Sequence, residues 1–262
     1  MLKRIKDDLF IFIIGIIYYL SLHGIAVGDH FFKSFEVGYP LFLSNEYMVK
    51  SHWYGFLAPH FLNYPTLRFI QIILAKLGFL PLPLIMFQAI NLVLSLLTLK
   101  LIYSALLRLD LNKFMAKATT VLFAFSFGFY SNMNAEFHHF SIFFIAAYIW
   151  LLVYMEKEQS LSKGKVFLLF LCLALAPLYH IENIIYSGCI VLYTLFNRTV
   201  WQKIRPHLFL AVSGLLLFPL FLVICAFCLH YYDFGKPGLG PYISYIPEML
   251  WFKRFGSMAE SS

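Results

Sequence analysis

The sequence predicts an all-α fold, a polytopic membrane helix bundle of about seven transmembrane helices with interfacial helices in a long first external loop. Three observations predict it. The 262 residues are 61% hydrophobic and 13% charged, against about 25% charged in soluble domains, so a water-soluble fold would have nowhere to put its apolar surface. Apolar runs of helix length recur along the chain, with short polar connections between them. Those connections carry the basic residues in clusters of three, which is how a membrane protein sets its orientation. The formal charge of +7 therefore points to anionic headgroups and helix orientation, and not to nucleic acid.

The first run, 9–27, follows Lys3, Arg4 and Lys6. Ala26-Val27-Gly28 would suit a leader-peptide cleavage site, but 19 apolar residues exceed the roughly 7–15 of a leader's hydrophobic region. The run reads as a retained anchor helix. The loop after it, 28–82, is rich in Trp, Tyr, Phe and His and too apolar for a solvated linker. Amphipathic helices on the outer leaflet are expected over Asn45–Phe56 and Thr66–Leu77. The segment Thr66–Leu80 is short and carries Arg68, Gln71 and Lys76 at helical spacing. A charge at mid-membrane costs about 2.5–3.5 kcal/mol on insertion scales, so this helix is expected to lie flat, started by Asn63 and Pro65 and stopped by Gly78.

The remaining spans are expected at 83–107, 115–133, 138–155, 166–181, 184–201 and 208–230. The sixth has a strictly apolar core only over Ile184–Phe196 and reaches full length by borrowing Asn197–Trp201. With 66–80 flat, the loops on the N-terminal side hold Lys3, Arg4 and Lys6, then Arg108, Lys113 and Lys117. They continue with Lys157, Lys163 and Lys165, then Arg198, Lys203 and Arg205. The positive-inside rule places this side, and the N-terminus, in the cytoplasm. A spanning 66–80 would invert every later cluster. Residues 1–230 form the transmembrane module, and 231–262 an external interfacial and disordered tail.

The same map sends His23, His30, His52, His60, His138, His139, His180 and His230 to the external face and leaves His207 inside. Acids accompany them. Asp29 and His30 end the first span, where a carboxylate beside lipid can act as a general base or, in the bland reading, as a helix-end cap. Glu136, His138 and His139 open the fourth span. There Glu136 also compensates the helix dipole, and adjacent histidines point about 100° apart, so one of the pair faces a pocket. His180 and Glu182 form the next external turn, at a depth where polar groups need partners or water. Lys33, Lys50, Arg68 and Lys76 lie outside against the inside rule, as candidates to grip a lipid phosphate or as snorkelling cations.

Imidazoles and carboxylates are suitable ligands for a divalent metal ion. No H-E-x-x-H or comparable spacing occurs, so no metal ligands are assigned. Cys172, Cys189, Cys225 and Cys228 sit within apolar runs and read as small hydrophobes. Cys225 and Cys228 form a lone C-x-x-C without a redox-protein context. The sequon Asn197-Arg-Thr199 falls on the cytoplasmic side, where it stays unmodified.

Taken together, these residues resemble the GT-C superfamily of membrane glycosyltransferases, nearest to its protein O-mannosyltransferase-like and lipid-linked-sugar-dependent branches. The resemblance runs over about 1–230. It rests on the acid ending span one (Asp29) and the long loop from Gly38-Tyr-Pro-Leu41 to Leu80. It continues through Gln88-Ala-Ile-Asn-Leu-Val-Leu-Ser-Leu-Leu97, Phe127-Gly-Phe-Tyr130 with Ala135-Glu136, and His180. It implies sugar transfer from a polyprenyl-phosphate-linked donor to an acceptor at the outer face. Asp29 would be catalytic base or metal contact, and Glu136 would share the catalytic site. His30, Lys33, Arg68, His138, His139, His180 and Glu182 would bind substrate. Many members place a second acid beside the first, where this chain has His30, and most continue for several more helices, so a compact, truncated or inactive relative is also expected. The rival readings are a non-catalytic membrane subunit or transport component, with a membrane-protein partner, and a metal or haem protein using the outer histidines.

Overall fold

The computed structural model describes residues 2–22, 62, 66, 69–70, 73–74, 76–78, 83–126, 129, 138–158, 162–180 and 183–234. All regular structure among them is helical. In chain order the helices are α1 (Leu2–Ser21), α2 (Pro83–Arg108), α3 (Lys113–Ala124), α4 (His138–Lys157) and α5 (Lys163–Tyr179). There follow α6 (Asn183–Phe196), α7 (Arg198–Ile204), α8 (Leu208–Val212) and α9 (Phe218–Phe234). A 3-10 turn, Arg205–His207, precedes α8, and a π-helical turn, Ser213–Leu217, joins α8 to α9.

Among the described residues, three stretches are long and apolar enough to cross a membrane: Gln88–Arg108, His139–Lys157 and Arg198–Cys225. Asp8–Ser21 and Asn183–Phe196 are apolar but shorter. One expected span comes out shorter than the sequence suggests. In the third run α3 covers Lys113–Ala124, 12 residues or roughly 18 Å of rise; Phe129 is helical again, and 127–128 and 130–133 lie outside the described residues. At the end of α3 the Phe125 N–H donates to the Val121 carbonyl and the Ser126 hydroxyl to the Phe123 carbonyl. The sixth run does not borrow Asn197–Trp201 as a continuation. Asn197 has extended backbone and its side-chain oxygen accepts from the Val200 N–H, so it ends α6 and caps α7.

Elsewhere turns and caps follow residue type. Asp110 adopts φ +65°, a left-handed turn that a short polar side chain tolerates, and Asn112 caps α3 by accepting from the Met115 N–H at 2.8 Å. Thr66, Phe69, Ile70, Ile73, Leu74 and Lys76 are helical, and Gly78 follows them at φ +80° as the stop. The proposed helix over Asn45–Phe56 lies outside the described residues, as does the tail beyond Phe234.

Packing is organised around α4, which lies between α2 and α5, its most extensive neighbours. One core joins Tyr148, Leu151 and Met155 of α4 to Val166, Leu169 and Leu173 of α5 and to Val200 and Ile204 of α7. A second joins Ile11, Ile14 and Tyr18 of α1 to Leu99 and Tyr103 of α2 and to Ala116 and Ala124 of α3. Gly214, in the π turn, lies against the α5 backbone, where a Cβ would fall 2.5 Å from the Phe167 carbonyl oxygen. Absence of a side chain there lets two helices approach closely, as small residues do in membrane bundles. Large apolar side chains such as Phe209, Leu217, Phe221, Ile185 and Phe196 cover the outside of α6, α8, the π turn and α9.

Helix directions bring the connections to two ends. At one, Asp8 pairs with Lys100, Lys157 lies 2.5 Å from Asp110, and Arg108 lies 4.0 Å from Glu158. Arg108 and Lys165 sit 4.1 and 3.6 Å from the centre of the Tyr154 ring. Lys203 donates to the carbonyls of Met155, Glu156 and Glu158, at 2.6, 3.2 and 2.6 Å, capping the C-terminus of α4. The other end holds the start of α4, the end of α5 and the docked Leu62 and Thr66.

Candidate functional site

The candidate site is the polar seam between α2 and α4 at that second end. Gln88, Asn91, Ser95 and Thr98 are all buried. Their 3-4-3 spacing puts them on one stripe of α2, about 15 Å long, roughly half the thickness of a bilayer's hydrocarbon core. The Ser95 hydroxyl donates to the Asn91 carbonyl at 2.7 Å. Its oxygen also lies 3.1 Å from Nδ1 of His139, the second residue of α4. His139 is fully buried, with the Phe129 ring edge-on at 5.1 Å.

Beside the seam, Phe140 stacks on Tyr179 at 4.8 Å and Phe144 packs on the same ring at 5.3 Å. The Tyr179 hydroxyl meets Thr66 Oγ1 at 2.8 Å, and the Leu62 N–H donates to the Leu178 carbonyl at 3.0 Å. Leu62 and Thr66 are thereby fastened to the end of α5. His180 closes α5, its N–H on the Ala176 carbonyl, and is itself buried.

Of the residues singled out from sequence, His139 and His180 are placed at this end, one on the α2–α4 seam and one at the α5 terminus. His138 is the first residue of α4. Asp29, His30, Lys33, Arg68, Glu136 and Glu182 lie outside the described residues. No group of three or more His, Cys, Asp or Glu among the described residues could hold a metal ion. Cys172 is buried, while Cys189, Cys225 and Cys228 are exposed on the apolar surface, and all four are free thiols. Sequence reasoning misses the seam as a feature. Its signal is nonetheless present, as four polar side chains at 3-4-3 spacing in an otherwise apolar run.

Other polar contacts join helices elsewhere. Tyr148 and Thr194 hydroxyls meet at 2.6 Å, the Trp150 indole N–H donates to Ser104 at 2.9 Å, and the Tyr18 hydroxyl donates to the Ala124 carbonyl at 2.6 Å. Comparison with known proteins finds no matching family model, no matching curated protein and no matching solved structure.

Proposed function

We propose that the chain is a multi-pass membrane protein of about seven spans, its N-terminus cytoplasmic, that transfers a sugar from a polyprenyl-phosphate-linked donor to an acceptor at the external face. The observation that supports this reading is the sorting of residues between the two ends. Arg108, Lys157, Lys165 and Lys203 share one end in ion-pair, ring and carbonyl contacts, and buried imidazoles from α4 and α5 share the other. Basic clusters belong on the cytoplasmic side, and ionisable groups kept at membrane depth mark function more often than packing. In the proposed reaction Asp29 takes the proton of the acceptor hydroxyl, and the departing phosphate is stabilised by the outer-loop cations and imidazoles.

The test is transfer from a synthetic polyprenyl-phosphate-linked sugar by the purified chain in lipid nanodiscs. Asp29→Asn is expected to abolish transfer with the thermal melt unchanged, and full activity in that variant would remove the mechanism. The alternative is a non-catalytic membrane subunit. It is favoured by the way Ser95–His139, Tyr148–Thr194 and Trp150–Ser104 bond helix to helix. An inactive chain that co-purifies with one membrane protein at fixed stoichiometry would select it.

A further inference from the structure

The two faces of α7 differ. Val200 and Ile204 are fully buried in the core that α4 and α5 build, while Arg198, Gln202 and Arg205 are exposed. Steps of four and three residues set these three on one face, opposite Val200 and Ile204. Arg205 keeps helical backbone, at φ −46° and ψ −42°. The polar face therefore runs unbroken to it, over two turns and about 10 Å of rise.

The other described cations at this end are largely engaged. Lys100 and Lys157 meet Asp8 and Asp110, Arg108 and Lys165 lie against the Tyr154 ring, Lys117 lies over the Phe10 ring, and Lys203 holds three carbonyls. The guanidinium groups of Arg198 and Arg205 have no ion pair, hydrogen bond or ring contact among the described residues. Glu156, the acid bonded to the neighbouring Asn197, already accepts from that carboxamide and from the Tyr193 hydroxyl. Phe196 and Phe209, which flank α7 in the chain, are 84 and 76% exposed.

We infer that this face of α7 docks an anionic phospholipid, with Arg198 and Arg205 on its phosphate and its acyl chains along the apolar surface that begins at Phe196 and Phe209. The match is one of charge and of amphiphilic form. A guanidinium fork meets phosphate oxygens in pairs, and the leaflet facing the cytoplasm is the anionic one. A soluble anion or an acidic peptide would satisfy the cations and leave the phenyl rings in water, whereas a lipid covers both. The sequence treats the basic clusters alike, as orienting charges. The structure spends most of them on the protein itself and leaves these two for a ligand. The inference rests on the membrane-embedded part of the proposed reading, and on neither sugar transfer nor the orientation.

The test is native mass spectrometry of the full chain in detergent micelles, titrated with phosphatidylglycerol or with phosphatidylcholine. The wild type should retain phosphatidylglycerol in preference. Arg198→Gln with Arg205→Gln should weaken that retention about tenfold, since each cation near an anionic headgroup contributes a several-fold change. Arg198→Lys with Arg205→Lys, which keeps charge and loses the fork, should fall between. Lys117→Gln with Lys157→Gln removes the same charge from already engaged positions and should retain the lipid as the wild type does. Equal retention of the two lipids by the wild type would overturn the inference without any variant. An unchanged affinity in the double Gln variant, or an equal loss in the control pair, would also overturn it. Displacement of the lipid by inorganic phosphate would assign the cations to a soluble anion instead. Sugar transfer is read in a separate assay with Asp29→Asn, so its failure leaves this result standing.

Discussion

Gly214 and Phe167 are in backbone contact: a Cβ on the glycine would sit 2.5 Å from the Phe167 carbonyl oxygen and 3.2 Å from the Leu171 nitrogen. Neither neighbour is a side chain that can swing aside. Gly214→Ala should therefore push the α8–α9 rod away from α5 and cost about 1–3 kcal/mol, the usual range for overpacking. Gly188→Ala is the control, because a Cβ there has nothing within 4 Å. It should be neutral or stabilising by up to about 1 kcal/mol, from helix propensity. Thermal melts in detergent compare the two, and equal melting temperatures would contradict the close approach.

The Tyr148–Thr194 hydroxyl pair at 2.6 Å is a buried polar tie between α4 and α6. A double-mutant cycle with Tyr148→Phe and Thr194→Val should give a coupling of about 0.6–1.7 kcal/mol, the range for interhelical hydrogen bonds in membrane bundles. Additive effects would mean that the two hydroxyls do not share a bond.

Lys203 holds three carbonyls at the end of α4. Its replacement by Met keeps the stem and removes the donors. Because the ammonium is partly exposed, the expected loss is about 1–2 kcal/mol, below the upper range for charge-assisted bonds. Hydrogen exchange should show the last turn of α4 opening before the rest, and unchanged protection at Met155–Glu158 would argue against the cap.

Orientation is checked by cysteine labelling in a background lacking Cys172, Cys189, Cys225 and Cys228. Lys163→Cys, at the start of α5, and Asn183→Cys, at the start of α6, should react with a membrane-impermeant reagent from opposite sides. Labelling of both from one side would refute α5 as a crossing element.

The chain's helices are legible where apolar length and punctuation agree. The α4 and α5 bounds, the Gly78 stop and the basic connections all follow from residue type and spacing. The sequence misleads where a polar side chain can choose between continuing a helix and capping one. Asn197 reads as a tolerated guest at the end of a span, but its carboxamide finds the Val200 N–H and breaks the rod. The seam is hidden for another reason. Periodicity shows that Gln88, Asn91, Ser95 and Thr98 share a stripe, but not which helix covers it, and the chemistry of the stripe depends on His139 lying opposite.

The Asp8–Lys100 pair, which joins the first helix to the second, bears on how the chain is made. On the proposed topology the carboxylate, synthesised first, waits at the bilayer while residues 28–82 follow it. The ammonium then arrives within an apolar helix that would enter lipid reluctantly by itself. A ribosome-bound intermediate halted before the second helix should thus hold its N-terminal rod loosely, and release of Lys100 from the exit tunnel should be the moment at which the two segments leave the insertion channel as a neutral couple.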